Sequence, residues 1–279
     1  LTEAQAVSWQ EPVGVLADLL TSSRVRAGAL EQGAGKLFRQ AEMMAAPPSF
    51  AGALRSSVVS LVCEIKRSSP SKGVIAADLD LSSRVRAYEA GGASALSILT
   101  EPRRFGGSLA DLQLAGETVG LPLLRKDFIV SELQLAEARV HGASAALLIA
   151  RALPPARLIQ LAHAAADLGL DALVEVRDEQ ELSSALESGA PVIGVNTRNL
   201  ETLEIDPAVA HLLIPQIPAD RIAVYESGIS TREDVESAAA TGADAVLVGS
   251  SLSASRDAEG AVRGLAGVSV GSVRRRAST

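Results

Sequence analysis

The apolar residues of this chain fall into short, nearly unbroken runs rich in Val, Ile and Leu. They lie at 60–66, 95–99, 122–126, 144–149, 171–176, 191–195, 222–226 and 244–248. These eight runs recur at roughly twenty to thirty residues, the length that a strand, a helix and two loops need. Unbroken rather than alternating apolar character predicts parallel strands covered by helices. Helix-like stretches fill the intervals and carry helix punctuation. Residues 80–91 stop at Gly91-Gly92, 108–119 open on Ser108, and 131–141 run from Ser131 to Gly142. Residues 154–168 start at Pro154-Pro155 and close on Gly169, and 178–188 run from Asp178 to Gly189. Residues 206–214, 231–241 and 257–266 complete the series. The prediction is a (β/α)8 barrel. An open doubly wound sheet would want a glycine-rich phosphate turn, and neither GxGxxG nor GxxxxGK[ST] occurs.

Ahead of the first strand, 12–46 reads as helical, with Val13, Val15, Leu16, Leu19 and Leu20 and then Leu30, Leu37 and Phe38. Gly33 and Gly35 divide it into two pieces, and Pro47-Pro48 ends it. The expected organisation is an N-terminal helical extension over 1–58, a barrel over 59–267, and a mobile basic tail over 268–279 that carries three consecutive arginines.

Composition narrows the function more than the fold. Apolar content of 47% in 279 residues supplies a core, and no run approaches a membrane span. The start LTEAQAVSWQEP lacks the basic opening and apolar centre of a signal peptide, so a soluble cytoplasmic protein is expected. A net charge of −7 with 3% aromatic residues offers no basic stacking platform for nucleic acid. The single cysteine, Cys63, sits inside an apolar run and reads as a core filler. His141, His163 and His211 are too scattered for a metal site, and neither metal nor cofactor is expected. A free-standing barrel of this kind is expected to be a monomer.

In such barrels, chemistry gathers at the C-terminal ends of the strands. The first strand ends in Glu64 and Lys66, two residues apart and so on one face, ahead of the loop RSSPSKG. That pair reads either as a salt bridge sealing the strand end or as part of a site. The third strand brings Lys126 and Phe128 on one face and Arg125 and Asp127 on the other. The fourth offers apolar wall, including Leu148. The fifth carries Glu175 in an otherwise apolar run, and the sixth places Asn196 and Arg198 together. Five charged groups from four strands are more than one structural ion pair explains. The last two strands end in Ser227-Gly228 and Gly249-Ser250, small residues with accessible backbone N–H groups where many barrels hold phosphate. The expected ligand is a phosphorylated small molecule, and the expected chemistry is proton transfer with charge stabilisation.

The segments CEIKRSSPSKG, LTEPRRFGGSL, PLLRKDFIV, LVEV, IGVNTRNL, ESGI and GADAVLVGSSL resemble, in order and spacing, those of indole-3-glycerol phosphate synthases over about 60–252. The resemblance implies closure of 1-(2-carboxyphenylamino)-1-deoxyribulose 5-phosphate to indole-3-glycerol phosphate, with loss of carbon dioxide and water. It implies that Lys126 is the general acid and Glu175 a base or hydroxyl-binding carboxylate. Lys66 would lie near the substrate carboxylate as a possible second acid, with Glu64 holding and tuning the lysines. Asn196 and Arg198 would orient the substrate, and Ser69 would sit beside the anthranilate carboxylate. Ser227, Gly228, Gly249 and Ser250 would cradle the phosphate, and Phe105, Phe128, Leu148 and Leu173 would line a slot for the ring; Phe128 reads equally as barrel filling. Lys66 and Lys126 are expected to lower each other's pKa and to titrate as a pair.

The extension departs from the family: VGVLADLLTSSRVRAGALEQ replaces a first helix rich in charge, and in the family that helix covers the mouth. Tyr225 also stands where a small residue is usual, and is expected inside the barrel or under the phosphate loop. Three rivals share the fold: a Schiff-base aldolase using Lys126 or Lys66, a phosphoribosylanthranilate isomerase needing an early catalytic cysteine, and a barrel that only binds sugar phosphates. Cys63 should face away from Glu64 and Lys66, which weakens the second.

Overall fold

The forecast runs form a closed ring of parallel strands: β1 Ser60–Ile65, β2 Ala95–Leu99, β3 Leu123–Lys126, β4 Ala145–Ile149, β5 Asp171–Val176, β6 Val192–Asn196, β7 Ile222–Glu226 and β8 Ala245–Val248. This computed structural model describes residues 9–69, 73–75 and 79–273, the Ser69 side chain excepted. Each strand pairs with its neighbour in sequence, and β8 returns to β1 through Ser60↔Ala245 to Cys63↔Val248. Both faces of these strands are buried, which is why the runs are apolar throughout.

The helices are α1 Gly14–Ala29, α2 Ala34–Met43, α3 Phe50–Ala53, α4 Leu81–Gly91, α5 Leu109–Thr118, α6 Glu132–Val140, α7 Pro155–Asp167, α8 Glu179–Glu187, α9 Ala208–Leu213, α10 Arg232–Thr241, α11 Ser250–Ala254 and α12 Ala258–Leu265. Their starts are fixed locally. Ser108 accepts from the Asp111 N–H, Asp178 from the Glu181 N–H, and Thr231 with Asp234 forms a reciprocal capping box. The extension breaks as forecast, through a 3-10 turn at Glu31–Gly33. The short α3 and α11, and an antiparallel pair of Ser68–Ser69 with Gly73–Val74, are additions to the sequence reading.

Two expectations need correcting here. The segment after 267 is not mobile from its beginning: the Val59 N–H donates to Val268 O at 2.7 Å and the Val270 N–H to Ser57 O at 3.1 Å. Val268 is buried, so this stretch closes the bottom of the barrel. The three arginines, at 274–276, lie outside the described residues. Of the two places expected for Tyr225, the barrel interior is excluded, because Glu226 beside it faces the barrel cavity and successive strand residues alternate. The ring lies on the helix side, where burial and then the Asp234 carboxylate raise its phenol pKa.

The extension is pinned across the mouth at two points. Near its start, the Val13 N–H and the Arg151 guanidinium both donate to Glu201 Oε1, at 3.0 and 2.8 Å. Near its end, Arg26 donates twice to Asp127, both at 2.8 Å, and the Ser23 hydroxyl donates to Phe128 O. Between these points Val15 and Leu19 face the barrel mouth.

Candidate active site

A cavity of about 300 Å³ lies at the C-terminal ends of the strands under α1. At its floor the Lys126 ammonium sits 2.5 Å from Glu226 Oε2 and 3.2 Å from Glu175 Oε2. Lys66 pairs with Glu64 at 2.8 Å, and Ser97 donates to the other Glu64 oxygen at 3.3 Å. Both pairs line the same cavity, so the two readings of Glu64 and Lys66 merge: the bridge forms part of the pocket wall.

Two glycines make room for the acids. A Cβ at Gly194 of β6 would lie 2.1 Å from Glu226 Oε1, and one at Gly249 would lie 2.5 Å from Glu64 Oε1. Any side chain at either position would push a carboxylate out of place.

The electrostatics of this floor are lopsided. Burial by itself would lower the Lys126 pKa, but the carboxylates of Glu226, Glu175 and Glu64 outweigh it and leave the ammonium more basic than usual. Glu226 is pushed up to about 7, first by burial and then by Glu175 and Glu64, with Lys126 acting against them. Its Oε1 is buried without a hydrogen-bond partner. The expectation that Lys66 lowers the Lys126 pKa is therefore overturned: three acids, not a neighbouring cation, set it.

Above the floor the cavity has an apolar side and a polar side. Phe105 and Phe128 face each other at 6.2 Å between ring centroids, tilted by 36°, and Leu99, Leu147 and Ile149 continue that wall. Phe105 is set by Glu101, which is wholly buried and accepts the N–H groups of Arg103, Arg104 and Phe105. Across from them, Asn196 Oδ1 accepts from the Ser227 hydroxyl at 2.8 Å and from the Arg198 N–H at 3.0 Å. These bonds hold Ser227 at φ +69°, followed by Gly228 at +81°, a left-handed turn that a non-glycine residue adopts only under restraint. Ser251 ties the ends of β7 and β8 together by donating to Ile229 O at 3.3 Å.

Lys126, Glu175, Lys66, Glu64, Asn196, Arg198, Phe105, Phe128, Ser227, Gly228, Gly249 and Ser250 all line this one cavity. Leu148 does not. Its neighbours Leu147 and Ile149 face inward and line the cavity, so Leu148 points to the helices. Leu173 shares the inward face with Glu175 but lies one layer deeper, where its Cδ2 would meet a Cβ on Gly194 at 2.9 Å. It supports the floor and is not part of the lining. The Ser69 side chain and residues 70–72 lie outside the described residues. Cys63 is buried on the face opposite Glu64, and burial raises its thiol pKa, so it is no nucleophile for this cavity. Glu226 was missed in the sequence, although an acid ending the run IAVYE is the same signal as Glu175 within LVEV.

A closed (β/α)8 barrel with paired lysines and carboxylates at its C-terminal mouth defines a barrel enzyme equipped for acid–base chemistry. Solved structures agree on the fold alone. The chain is similar to 3-hexulose-6-phosphate synthase from Salmonella typhimurium (TM-score 0.60, 15% identity, 78% of this chain and 99% of that one). It is similar also to the tryptophan synthase alpha-subunit mutant D110A from Pyrococcus furiosus (TM-score 0.57, 18% identity, 76% and 99%). Sequence comparison goes further. The family model described as indole-3-glycerol phosphate synthase matches residues 20–265. Indole-3-glycerol phosphate synthase 1 of Streptomyces coelicolor is 52% identical over 213 residues, 76% of this chain and 79% of that protein. Indole-3-glycerol phosphate synthase of a Parafrankia species is 46% identical over 236 residues, 85% and 86%. The chain belongs to the indole-3-glycerol phosphate synthase family. It is a carboxy-lyase of tryptophan biosynthesis that closes the indole ring with loss of carbon dioxide and water. No helix among the described residues is long and apolar enough to cross a membrane.

Proposed function

We propose that Lys126 is the acid that starts this reaction, delivering its proton to the ribulose carbonyl oxygen of 1-(2-carboxyphenylamino)-1-deoxyribulose 5-phosphate. The observation that carries the reading is the position of its ammonium between Glu226 and Glu175 on the cavity floor. Those carboxylates keep Lys126 cationic, so it can polarise the carbonyl and stabilise the alkoxide that forms as the aromatic carbon attacks. Decarboxylation then restores the ring. Departure of the hydroxyl needs a second proton, and the methylene carbon beside the ring nitrogen must release one.

Glu175 faces both events and is the base. Lys66 binds the substrate carboxylate before it leaves, held in place by Glu64. The polar turn at Ser227 and Gly228, with Gly249 and Ser250 beside it, receives the phosphate. The wall of Phe105, Phe128, Leu147 and Ile149 receives the aromatic ring. An anionic tail at one side and an aromatic ring at the other match the two halves of the cavity. Asn196 holds the phosphate turn, and its Nδ2 has no protein partner among the described residues and is free to meet a substrate hydroxyl.

The test is the appearance of indole fluorescence on mixing substrate with protein. Lys126→Ala is expected to reduce the rate by roughly 10²–10⁴-fold while substrate still binds. A variant as fast as the parent would discard Lys126 as the acid. Trapping of a covalent adduct by borohydride would favour a Schiff-base mechanism instead.

A further inference from the structure

A second cavity of about 200 Å³ lies behind Glu175, and Ile149, Glu175, Asn196, Arg198 and Leu200 line both it and the first. Among these, the Glu175 carboxylate and the Asn196 amide are the polar groups that both cavities meet on the strand ends. The far side of the second is formed by Glu181, in the first turn of α8, together with Arg151 and Arg177. Glu181 Oε2 accepts the Arg177 N–H at 2.7 Å. Its other oxygen makes no hydrogen bond to the described residues. A polar cavity of this size has room for several waters between two carboxylates.

The reaction has a proton requirement. The substrate carboxylate leaves as neutral carbon dioxide, so one negative charge disappears. The hydroxyl leaves as water, using one donated proton, and the methylene carbon beside the ring nitrogen returns one proton to the base. Lys126, protonating the carbonyl oxygen, has given up another. The balance is one proton taken from solvent per turnover. Val15 and Leu19 of α1 roof the first cavity, so a substrate filling it would stand between its floor and solvent.

We propose that Glu181 and the side cavity form the entry path by which this proton reaches Glu175 and, through it, Lys126. The proposal rests on the reading of Glu175 as the proton-handling carboxylate. In each cycle, protonated Glu181 passes its proton through cavity water to Glu175, which lies 3.2 Å from the Lys126 ammonium, and is recharged from solvent. No bond other than O–H and N–H forms or breaks along the path. The surroundings suit the task. Burial first, then Asp178 on its own helix turn and Glu175 of β5, push Glu181 up to about 7; the Arg177 N–H and Arg151 oppose them. Glu201 and Arg198, from the loop after β6, close the cavity opposite. A carboxyl poised near neutrality both loses and regains a proton readily. Glu181 acts through Glu175 and is a positioning residue for the proton, not a group that touches substrate.

The test uses the full chain in single-turnover fluorescence, so that product release cannot mask the step. Glu181→Gln keeps the hydrogen bond from the Arg177 N–H and is expected to slow turnover about tenfold at pH 8, with KM unchanged. Imidazole, a small proton carrier, should restore the rate in proportion to its concentration, and the solvent isotope effect should rise. Glu181→Asp should retain most of the rate. A Glu181→Gln rate equal to the parent's from pH 6 to 9, or a loss that imidazole does not repair, overturns the relay and leaves Glu181 as a helix-start residue. Glu175→Gln run in parallel separates the two readings: full activity there would remove Glu175 as the proton group, whatever Glu181 does.

Discussion

Two clusters of buried charge flank the same strand, and they have opposite characters. On the inner side of β3, Lys126 faces Glu226, Glu175 and Glu64; on the outer side, Arg125 and Arg26 meet Asp127 and Glu137. The outer cluster is balanced in charge and its central carboxylate is saturated, although the Arg26 Nε is buried without a hydrogen-bond partner. Asp127 accepts from Arg26, Arg125, Thr100 and its neighbour's backbone, and despite burial these partners hold its carboxyl well below the usual range. The inner cluster has more acids than bases, an unpartnered Glu226 oxygen, and a carboxyl pushed up to about 7. Saturated charge fixes structure. Unsaturated charge beside a cavity is ready for chemistry. Buried ion pairs alone would not distinguish a site from a clamp, but the direction of the pKa shifts does.

The largest effect that would sharpen this contrast is expected from Glu226→Gln. Losing the carboxylate that directs the Lys126 ammonium should lower kcat by roughly 10²–10³-fold. Activity of the parent is expected to rise through about pH 7 as Glu226 ionises, and that rise should vanish from the profile of the variant. Stability gives an independent signature. Because the folded pKa of Glu226 lies above its unfolded value near 4.5, the folded state loses stability as pH rises from there through about 7, and is flat beyond. Urea midpoints measured across that window should decline less in Glu226→Gln than in the parent. An identical decline would mean that another group titrates there.

Asp127→Asn addresses the other side of the strand and should reverse the pattern: a stability loss of about 3 kcal/mol with a smaller loss of kcat. The sign of its pH dependence is also reversed. A carboxyl held low in the folded state contributes stability above its unfolded pKa and loses it as pH falls toward the folded one. Acid denaturation of the parent should therefore be steeper than that of the variant. Equal acid sensitivity would show that the outer cluster is not what acid breaks.

The sequence made one side of this comparison far more legible than the other. The strands were readable because parallel strands buried on both faces leave unbroken apolar runs, and each appears within one residue of its forecast ends. The same continuity hid which way residues face. In β4 nothing polar marks the inner side, so Leu148 was taken for Leu147 and Ile149. In β5 the single carboxylate Glu175 fixed the phase at once. Glu226 carried the same mark but stood at the edge of the turn sequence ESG, whose Ser227 and Gly228 drew the reading to phosphate binding. The partners of Asp127 were illegible for another reason: Arg26 lies 101 residues away, on an extension that diverges from the family's usual sequence. The short α11, five residues long, left no periodic pattern to find.

The smallest expected effect tests whether the extension is a lid or only a cap. Arg26 joins α1 to Asp127, next to both Lys126 and Phe128, so the clamp and the site share a backbone segment. Arg26→Ala should lower stability by only about 1–2 kcal/mol, because its guanidinium is partly exposed and Arg125 and Thr100 still satisfy Asp127. Its functional effect should appear in KM rather than kcat: Val15 and Leu19 roof the cavity, and a loosened α1 would cover the substrate less while leaving Lys126 and Glu226 in place. A KM raised several-fold at constant kcat would make α1 a cover that substrate binding must close. A fall in kcat with KM unchanged would instead show that Asp127, once released, no longer holds the end of β3, and would join the two clusters into one machine.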